Sequence, residues 1–390
     1  MTQTSSTISD AAAADLLSRL VAIPSVNPAF RQAGYPDDWF DEARVAEVVA
    51  QQLRDFGLVV EIDPVAPGRP NVIARLKGIG DGPSMLWEGH LDTVQVTGMA
   101  APFTPRMEGG RLYGRGAVDD KGCLTAFMLA LGELVRDPPR GDITFLAAVD
   151  EEYRFAGVTH HLRRGTRYDL GVAGEPTNLR IVRACKGCVR WHVEVLGRAA
   201  HTAKPHEGID AIAAATDLLA GYREAMVRRD ARHPLLGGAT LVCTAIEAGE
   251  GPNTVPSRAM LRFDYRYLPS ENGDAVWRFF EALTAQLASS TPGAQMIVHP
   301  PFIDSSAMDV PEDAAIVRLF RTVCRASGVD PAPVGVPYGS DATKMVNIGG
   351  IPTIVFGPGS IDQAHAKDEF VEIAEVTAAA RMLVAAAREL

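Results

Sequence analysis

Three apolar runs, each ending in acids or a histidine, constrain the fold of this chain more than any other feature. PSMLWEGHLDTV, GDITFLAAVDEE and YDLGVAGEPT are continuously apolar until their carboxyl ends turn polar. Runs of this kind suit strands buried on both faces, and such strands belong to sheets covered by helices. Open α/β sheets gather their functional groups at the carboxyl ends of their strands. The three runs therefore predict one sheet that brings GHLD, VDEE and GEP to a common edge.

Helical patterns surround these strands. SDAAAADLLSRLVAI predicts a first helix capped by Ser9 or Asp10, with Leu16, Leu17, Leu20 and Val21 on one stripe. A second is expected from about Trp39 to Phe56, closed by Gly57, a third from Lys121 to Val135, and a last from Ile373 to Glu389. Near Cys185 the texture changes. GCVRWHVEVLGRA alternates apolar and polar, and helix, strand, strand, helix and strand patterns follow it as far as AQMIVHPPF. That β-α-β-β-α-β order is the split βαβ pattern of a ferredoxin-like domain. It reads as an insertion, because IPTIVFGPG is again a buried strand. The expected class is α/β, with a discontinuous catalytic domain over 1–184 and 301–390 and an inserted domain over 185–300. A chain of 390 residues is too long for one ordinary core, which agrees with two domains.

Composition excludes several functions. Lys plus Arg is 38 against 48 for Asp plus Glu, a net charge of −10 with no basic run, so binding to nucleic acid or an anionic membrane is not expected. The apolar and charged fractions, 47% and 22%, are those of a globular protein rather than a disordered or coiled-coil one. Five cysteines are odd in number and sparse, so no disulfide framework is implied, and Cys185 and Cys188 read as packed thiols rather than a zinc knuckle. MTQTSSTISD lacks the pattern of a secretory signal, and no run of about 18 apolar residues exists to span a bilayer. A cytoplasmic location is expected. There is no P-loop, no GxSxG, and Gly114-Arg115-Gly116 lacks the third glycine of a dinucleotide site.

What remains is a set of histidines and acids. His90 and Asp92 lie two apart, on one side of an extended chain. A metal-bound histidine usually gives its second ring N–H to an orienting group, a role open to Asp92. Asp119 and Asp120 precede a helix and taken alone read as N-cap residues. Glu151 and Glu152 follow Asp150 after FLAAV, Glu175 ends its own run, and His365 lies beyond the last strand. Ionised carboxylates buried at strand ends are costly without a cation. Divalent metal would resolve them together, and mixed N and O donors favour zinc, with manganese or cobalt as alternates.

GHLDTV, GRGAVDDKG, VDEE, GEPT and QAHAKDEF, in this order, resemble the signature segments of the co-catalytic zinc amidohydrolases and metallopeptidases. That family includes acetylornithine deacetylase, succinyl-diaminopimelate desuccinylase, aminoacylase and glutamate carboxypeptidase. The resemblance runs from the first helix to the last and implies that the inserted domain is a lid through which two copies dimerise. It implies two metal ions bridged by Asp119, one also held by His90 and Glu175, the other by Glu152 and His365. Asp92 would orient His90, Glu151 would be the general base, and the Asp119–Asp120 peptide would be cis. His201 matches a histidine that reaches a partner subunit's site and stabilises the oxyanion. Asn253 and Arg266 match residues that hold a substrate carboxylate, and Gly339, Ser340, Asp341 and Gly357 match loops lining the pocket.

The implied activity is hydrolysis of the amide bond of an N-acyl-L-amino acid, with GPGSIDQAH leaning toward acetylornithine deacetylase. Desuccinylase-like, dipeptidase or carboxypeptidase activity on the same site is the alternative, since DDK after GRGAV occurs in those branches too. A dinuclear phosphoesterase would want more cations near the acids than Arg115 and Lys121. A binding protein on the same fold would have lost a ligand, yet every ligand position is filled. The expected partners are a small N-acyl amino acid or dipeptide and a second copy of the chain.

Overall fold

The computed structural model describes residues 8–289 and 292–390; most of the MTQTSSTISD segment lies outside them. The chain divides into two compact units. One is the chain through Arg183 with Val310–Val334 and Ser340–Leu390; the other is Ala184–Asp309 with Gly335–Gly339.

In the first unit the three apolar runs form strands Met85–His90, Ile143–Ala148 and Leu170–Ala173, every residue of them buried. They lie in a mixed sheet in the order Val59–Ala66, Arg69–Leu76, Ile143–Ala148, Met85–His90, Leu170–Ala173, Thr353–Val355, then Val182–Cys185. Ile143–Ala148 and Leu170–Ala173 both run parallel to Met85–His90. The register pairs His90 with Ala148 and Glu88 with Ala173. Asp92, Glu151 and Glu175 therefore all follow strand ends on one edge of the sheet.

Helix Lys121–Leu134 packs against the Met85–His90 strand and against helices Asp10–Val21 and Ile373–Arg388. It is enclosed on nearly all sides, so 13 of its 14 residues are buried and its sequence shows no clean polar stripe. Ser9 caps the first helix by accepting from Ala12 N. The second helix is Ala43–Asp55, shorter than the pattern suggested. Asp37–Trp39 forms a separate 3-10 turn, because Trp39 leaves the helix line to pack edge-on against Phe103. Gly57, at φ 92, closes the helix in a conformation that other residues rarely adopt.

The second unit is built on a five-stranded antiparallel sheet, in the order Thr240–Ala248, Arg258–Tyr267, Gly187–Leu196, Gln295–Val298, with Ile303–Ser305 also paired to Gly187–Leu196. Helices Ala211–Val227 and Gly273–Ser289 pack on it. The alternation along Gly187–Leu196 turns Val189, Trp191, Val193 and Val195 inward, where Trp191 meets Phe263 and Phe280. This unit continues past residue 300 because Ile303–Ser305 pairs with Gly187–Leu196. All five cysteines are free. Among the described residues no helix is long and apolar enough to cross a membrane.

Candidate metal centre

His90 ends its strand with its side chain 1% exposed. Its Nε2 lies 2.9 Å from Asp119 Oδ1. The other oxygen of the same carboxylate, Asp119 Oδ2, lies 3.2 Å from His365 Nε2, and that nitrogen is 3.2 Å from Glu152 Oε1. One aspartate thus faces two imidazoles, one with each oxygen. The Asp119–Asp120 peptide is cis. Asp120 makes no side-chain cap for the helix that follows; its Oδ2 accepts the backbone N–H of His90 at 3.0 Å.

The ligand atoms of His90, Asp119 and Glu152 lie within 4.8 Å of one another, and so do those of His90, Glu151 and Glu175. Adjacent glutamates of one turn thus fall in different groups that share His90. Glu175 groups here with His90 and Glu151, whereas the resemblance paired it with His90 and Asp119. The ring Nδ1 of His90 lies 3.0 Å from the backbone oxygen of Asp92 and 3.6 Å from its carboxylate. The backbone oxygen is therefore the closer orienting group, a role that carbonyls also fill in metal sites.

Burial pushes the Glu151 and Glu175 carboxyls well above their usual range, and the Asp119 charge adds to both. Burial and Asp119 raise Glu152 as well. Asp119 goes the other way. Burial opposes its ionisation, yet His365 and His90 hold it well below the ordinary value. Burial likewise works against protonated His365, but Asp119 and Glu152 outweigh it and lift the ring to about 10. Among the described residues the ion pairs of Asp119 and Glu152 are to histidine alone. Clustered buried acids without Lys or Arg partners fit divalent cations, which would replace the lost hydration and the bound protons. The imidazole and carboxylate donors of the two groups suit ions of that kind.

Several buried residues hold this site, and of them Asn27, Glu369 and Glu88 were not singled out in the sequence. Asp92 accepts the backbone N–H groups of Glu151 and Glu152, each at 3.1 Å, and Asn27 Nδ2 at 2.7 Å. Glu369 Oε1 accepts Val118 N at 3.0 Å and Asp119 N at 3.2 Å, while its other oxygen pairs with Arg115. Burial raises Glu369 to about 7 despite that guanidinium. It lies four residues after His365, so the segment that carries one candidate ligand also braces the loop of another. Glu88 and Asp341 are both buried, and burial raises both, each side chain facing the other.

Gly357 sits against the Glu175 loop. A Cβ there would fall 2.5 Å from Glu175 O and 2.4 Å from Cys123 Sγ. Its N–H donates to Thr177 Oγ1 at 3.0 Å and its carbonyl accepts Leu179 N at 3.0 Å, so it braces the turn after Glu175. Ser340 Oγ accepts Ala342 N at 3.3 Å at the start of helix Ala342–Asn347.

His201, Asn253, Arg266 and Gly339 belong to the second unit. His201 is exposed and its Nδ1 accepts Ala203 N. It bridges to Thr254, and Thr202 N donates to Asn253 O at 3.1 Å, so the fold brings His201 and Asn253 together. Arg266 lies elsewhere on that sheet, paired with Asp264 at 2.8 Å, and Arg190 shares the same carboxylate at 2.7 Å.

A mixed α/β sheet with imidazoles and carboxylates at its strand ends defines a class of metallohydrolase-like folds, and comparison with known proteins narrows it. Residues 86–389 match peptidase family M20/M25/M40, and the chain belongs to that family of amide-bond hydrolases. Acetylornithine deacetylase of Vibrio campbellii is 28% identical over 361 residues, 90% of either chain. That of Aliivibrio salmonicida is 30% identical over 348 residues, 86% of this chain and 89% of the relative. A Staphylococcus aureus tripeptidase superposes with a TM-score of 0.81 at 19% identity, covering 98% of this chain and 99% of its own. A Bacillus subtilis protein described as a dinuclear metal-binding M20 peptidase does so at 0.72 and 17%, covering 97% and 98%.

Proposed function

We propose that this chain hydrolyses the amide bond of an N-acyl-L-amino acid, in the manner of an acetylornithine deacetylase, with two divalent ions as cofactors. The observation that carries the reading is Asp119, with Oδ1 on His90 and Oδ2 on His365, where His90 is shared by the Asp119–Glu152 and Glu151–Glu175 groups. Zinc is the preferred ion, with cobalt or manganese as substitutes. The relatives named as acetylornithine deacetylases and the dinuclear description of the Bacillus neighbour support it.

Ions held by His90, Asp119, Glu152, Glu175 and His365 would polarise the amide carbonyl and lower the pKa of water toward neutrality. The protein supplies the rest. Glu151, enclosed beside His90 and Glu175, is assigned as the base that takes the water's proton and returns it to the leaving amine. Burial raises its proton affinity, which suits a group that takes up and returns a proton. His201 is assigned as donor to the developing oxyanion, from the partner copy of a dimer formed through the second unit. Arg266 and Asn253 are assigned to the substrate carboxylate, where a guanidinium offers a two-pronged match. In this reading the first unit is the catalytic domain and the second, Ala184–Asp309 with Gly335–Gly339, is the lid. A cytoplasmic location accords with five free thiols.

The test is turnover across N-acetyl and N-succinyl amino acids and dipeptides, with added zinc, cobalt or manganese. The reading expects metal-dependent release of the free amino acid, fastest from N-acetyl substrates. Turnover confined to dipeptides would move the chain to the peptidase branch, and no hydrolysis of any amide would refute the reading.

A further inference from the structure

We infer that Asn27 and Arg69, far from the candidate ligands in sequence, are positioning residues that set the direction in which Glu151 and Glu152 present their side chains. The inference rests on the dinuclear reading above. Asn27 is fully buried. Its Oδ1 accepts Ala29 N at 3.0 Å, which fixes the orientation of the amide. Its Nδ2 then gives hydrogen bonds to two different carboxylates, Asp92 Oδ2 at 2.7 Å and Asp150 Oδ1 at 2.9 Å. An amide nitrogen has two protons, and both are used.

Those two carboxylates control the acidic turn from opposite sides. Asp92 accepts Glu151 N with one oxygen and Glu152 N with the other. Asp150 precedes Glu151 in the chain and stands at φ 68, a left-handed conformation that a non-glycine residue keeps only when its surroundings hold it. Its carbonyl accepts Arg154 N at 3.1 Å and Phe155 N at 2.6 Å, closing the turn. Arg69 Nη1 lies 3.0 Å from Asp150 Oδ1, and Arg69 Nε donates to Glu42 Oε2 at 2.8 Å. Glu42 is itself fully buried. The chain of contacts runs Glu42, Arg69, Asp150, Asn27, Asp92 and ends on the backbone of Glu151 and Glu152.

Charge explains why the two positions need these residue types. Glu42, Asp150 and Asp92 are three buried acids, and Arg69 is the cation paired with two of them. The neutral amide of Asn27 gives one proton to Asp92 and one to Asp150 and adds no charge between them. An aspartate there has the same shape, no protons to give and one more negative charge. Glu152 and Glu151 belong to different groups around His90, so a turn that rotates loses both alignments together. Groups that orient metal ligands typically change metal affinity or activity by about 10–100-fold when removed.

Cobalt serves as both probe and cofactor here, because its visible absorption reports ligand geometry apart from turnover. Metal-free protein is titrated with cobalt while circular dichroism and thermal midpoint report folding, and kcat and KM are measured on the best amide substrate. Asn27→Asp is expected to bind cobalt about 10–100-fold more weakly with an altered spectrum, and to lose kcat with KM little changed. Arg69→Met should move the same readouts, with partial rescue in Arg69→Lys. Leu17→Ala, a core deletion distant in role, is the control for lost stability and should keep the cobalt spectrum at its lower midpoint. Wild-type affinity and spectrum in both Asn27→Asp and Arg69→Met would overturn the inference, as would an equal loss of cobalt affinity in Leu17→Ala. If Asn27→Asp does not fold, Asn27→Ser decides, and wild-type cobalt affinity there overturns the inference. A wild-type protein that takes up no cobalt would overturn the dinuclear reading and the inference together.

Discussion

Glu151 carries the sharpest expectation at the level of single residues. Glu151→Gln keeps the shape of the side chain and removes its ability to accept a proton. General acid–base catalysis contributes about 10²–10⁴-fold, so kcat should fall by about that much while bound metal stays unchanged. Near-normal turnover with metal in place would reassign the base. Proton counting gives a second expectation. Burial favours the protonated forms of Glu151 and Glu175, and Asp119 with Glu152 lifts His365 to about 10. Ions must displace such protons, so adding zinc to metal-free protein at pH 7 should release protons into weakly buffered solution, and metal affinity should rise with pH. Uptake of zinc without proton release would contradict the cluster's charge state. His90, Glu151, Glu152 and Glu175 stood out in the sequence because they sit at the ends of apolar runs, whereas Asp119 taken alone reads as an N-cap and was singled out through the family resemblance. Asn27, Arg69 and Glu369 were not, because an Asn in a loop, an Arg at the start of a strand and a Glu among surface acids look alike whether solvated or buried. What sets them apart is the carboxylates they meet after the chain folds.

Among the elements, the buried strands were the easiest to read and the edges of helices the hardest. Short apolar runs bounded by turn residues suit a doubly covered strand, and parallel register then aligns their ends. The start of helix Ala43–Asp55 depended on where Trp39 packs, which periodicity does not encode. Helix Ala156–Arg163 carries a testable pH dependence through His161, whose Nε2 lies 2.9 Å from the Tyr168 hydroxyl. Burial, then the charge of Arg164, lowers its pKa to about 4. The unfolded chain binds this proton from about pH 6.5 downward and the folded chain only near 4, so stability falls as pH drops through that window. His161→Phe should flatten the decline in thermal midpoint between pH 6.5 and 4 relative to wild type. An unchanged slope would mean that other groups dominate acid unfolding.

For the whole molecule, the proposed dimer and the proposed role of His201 are tested together. His201→Ala and Glu151→Gln should each be nearly inactive, given the 10²-fold or larger loss typical of removing an oxyanion donor or a base. If His201 acts on the partner's site, mixing the two under subunit exchange pairs an intact Glu151 with an intact His201 and restores about a quarter of wild-type activity, the share of intact sites when half the dimers are mixed. Exchange seen by mass spectrometry without recovery would place His201 in its own chain's site or outside catalysis. The two-unit division was readable from the switch between continuous and alternating apolar patterns. The end of the second unit was not, because the short Ile303–Ser305 strand is defined by its pairing with Gly187–Leu196 rather than by its own sequence. In the proposed mechanism His90, Asp119, Glu152, Glu175 and His365 hold two ions without which amide hydrolysis stops. Elemental analysis of zinc per chain, run beside turnover while metal-free protein is reloaded, checks this. Activity is expected to climb with bound zinc to a plateau at two ions, with Asp119→Asn inactive and retaining fewer. Full activity in chelator at zero bound metal would refute the metal requirement.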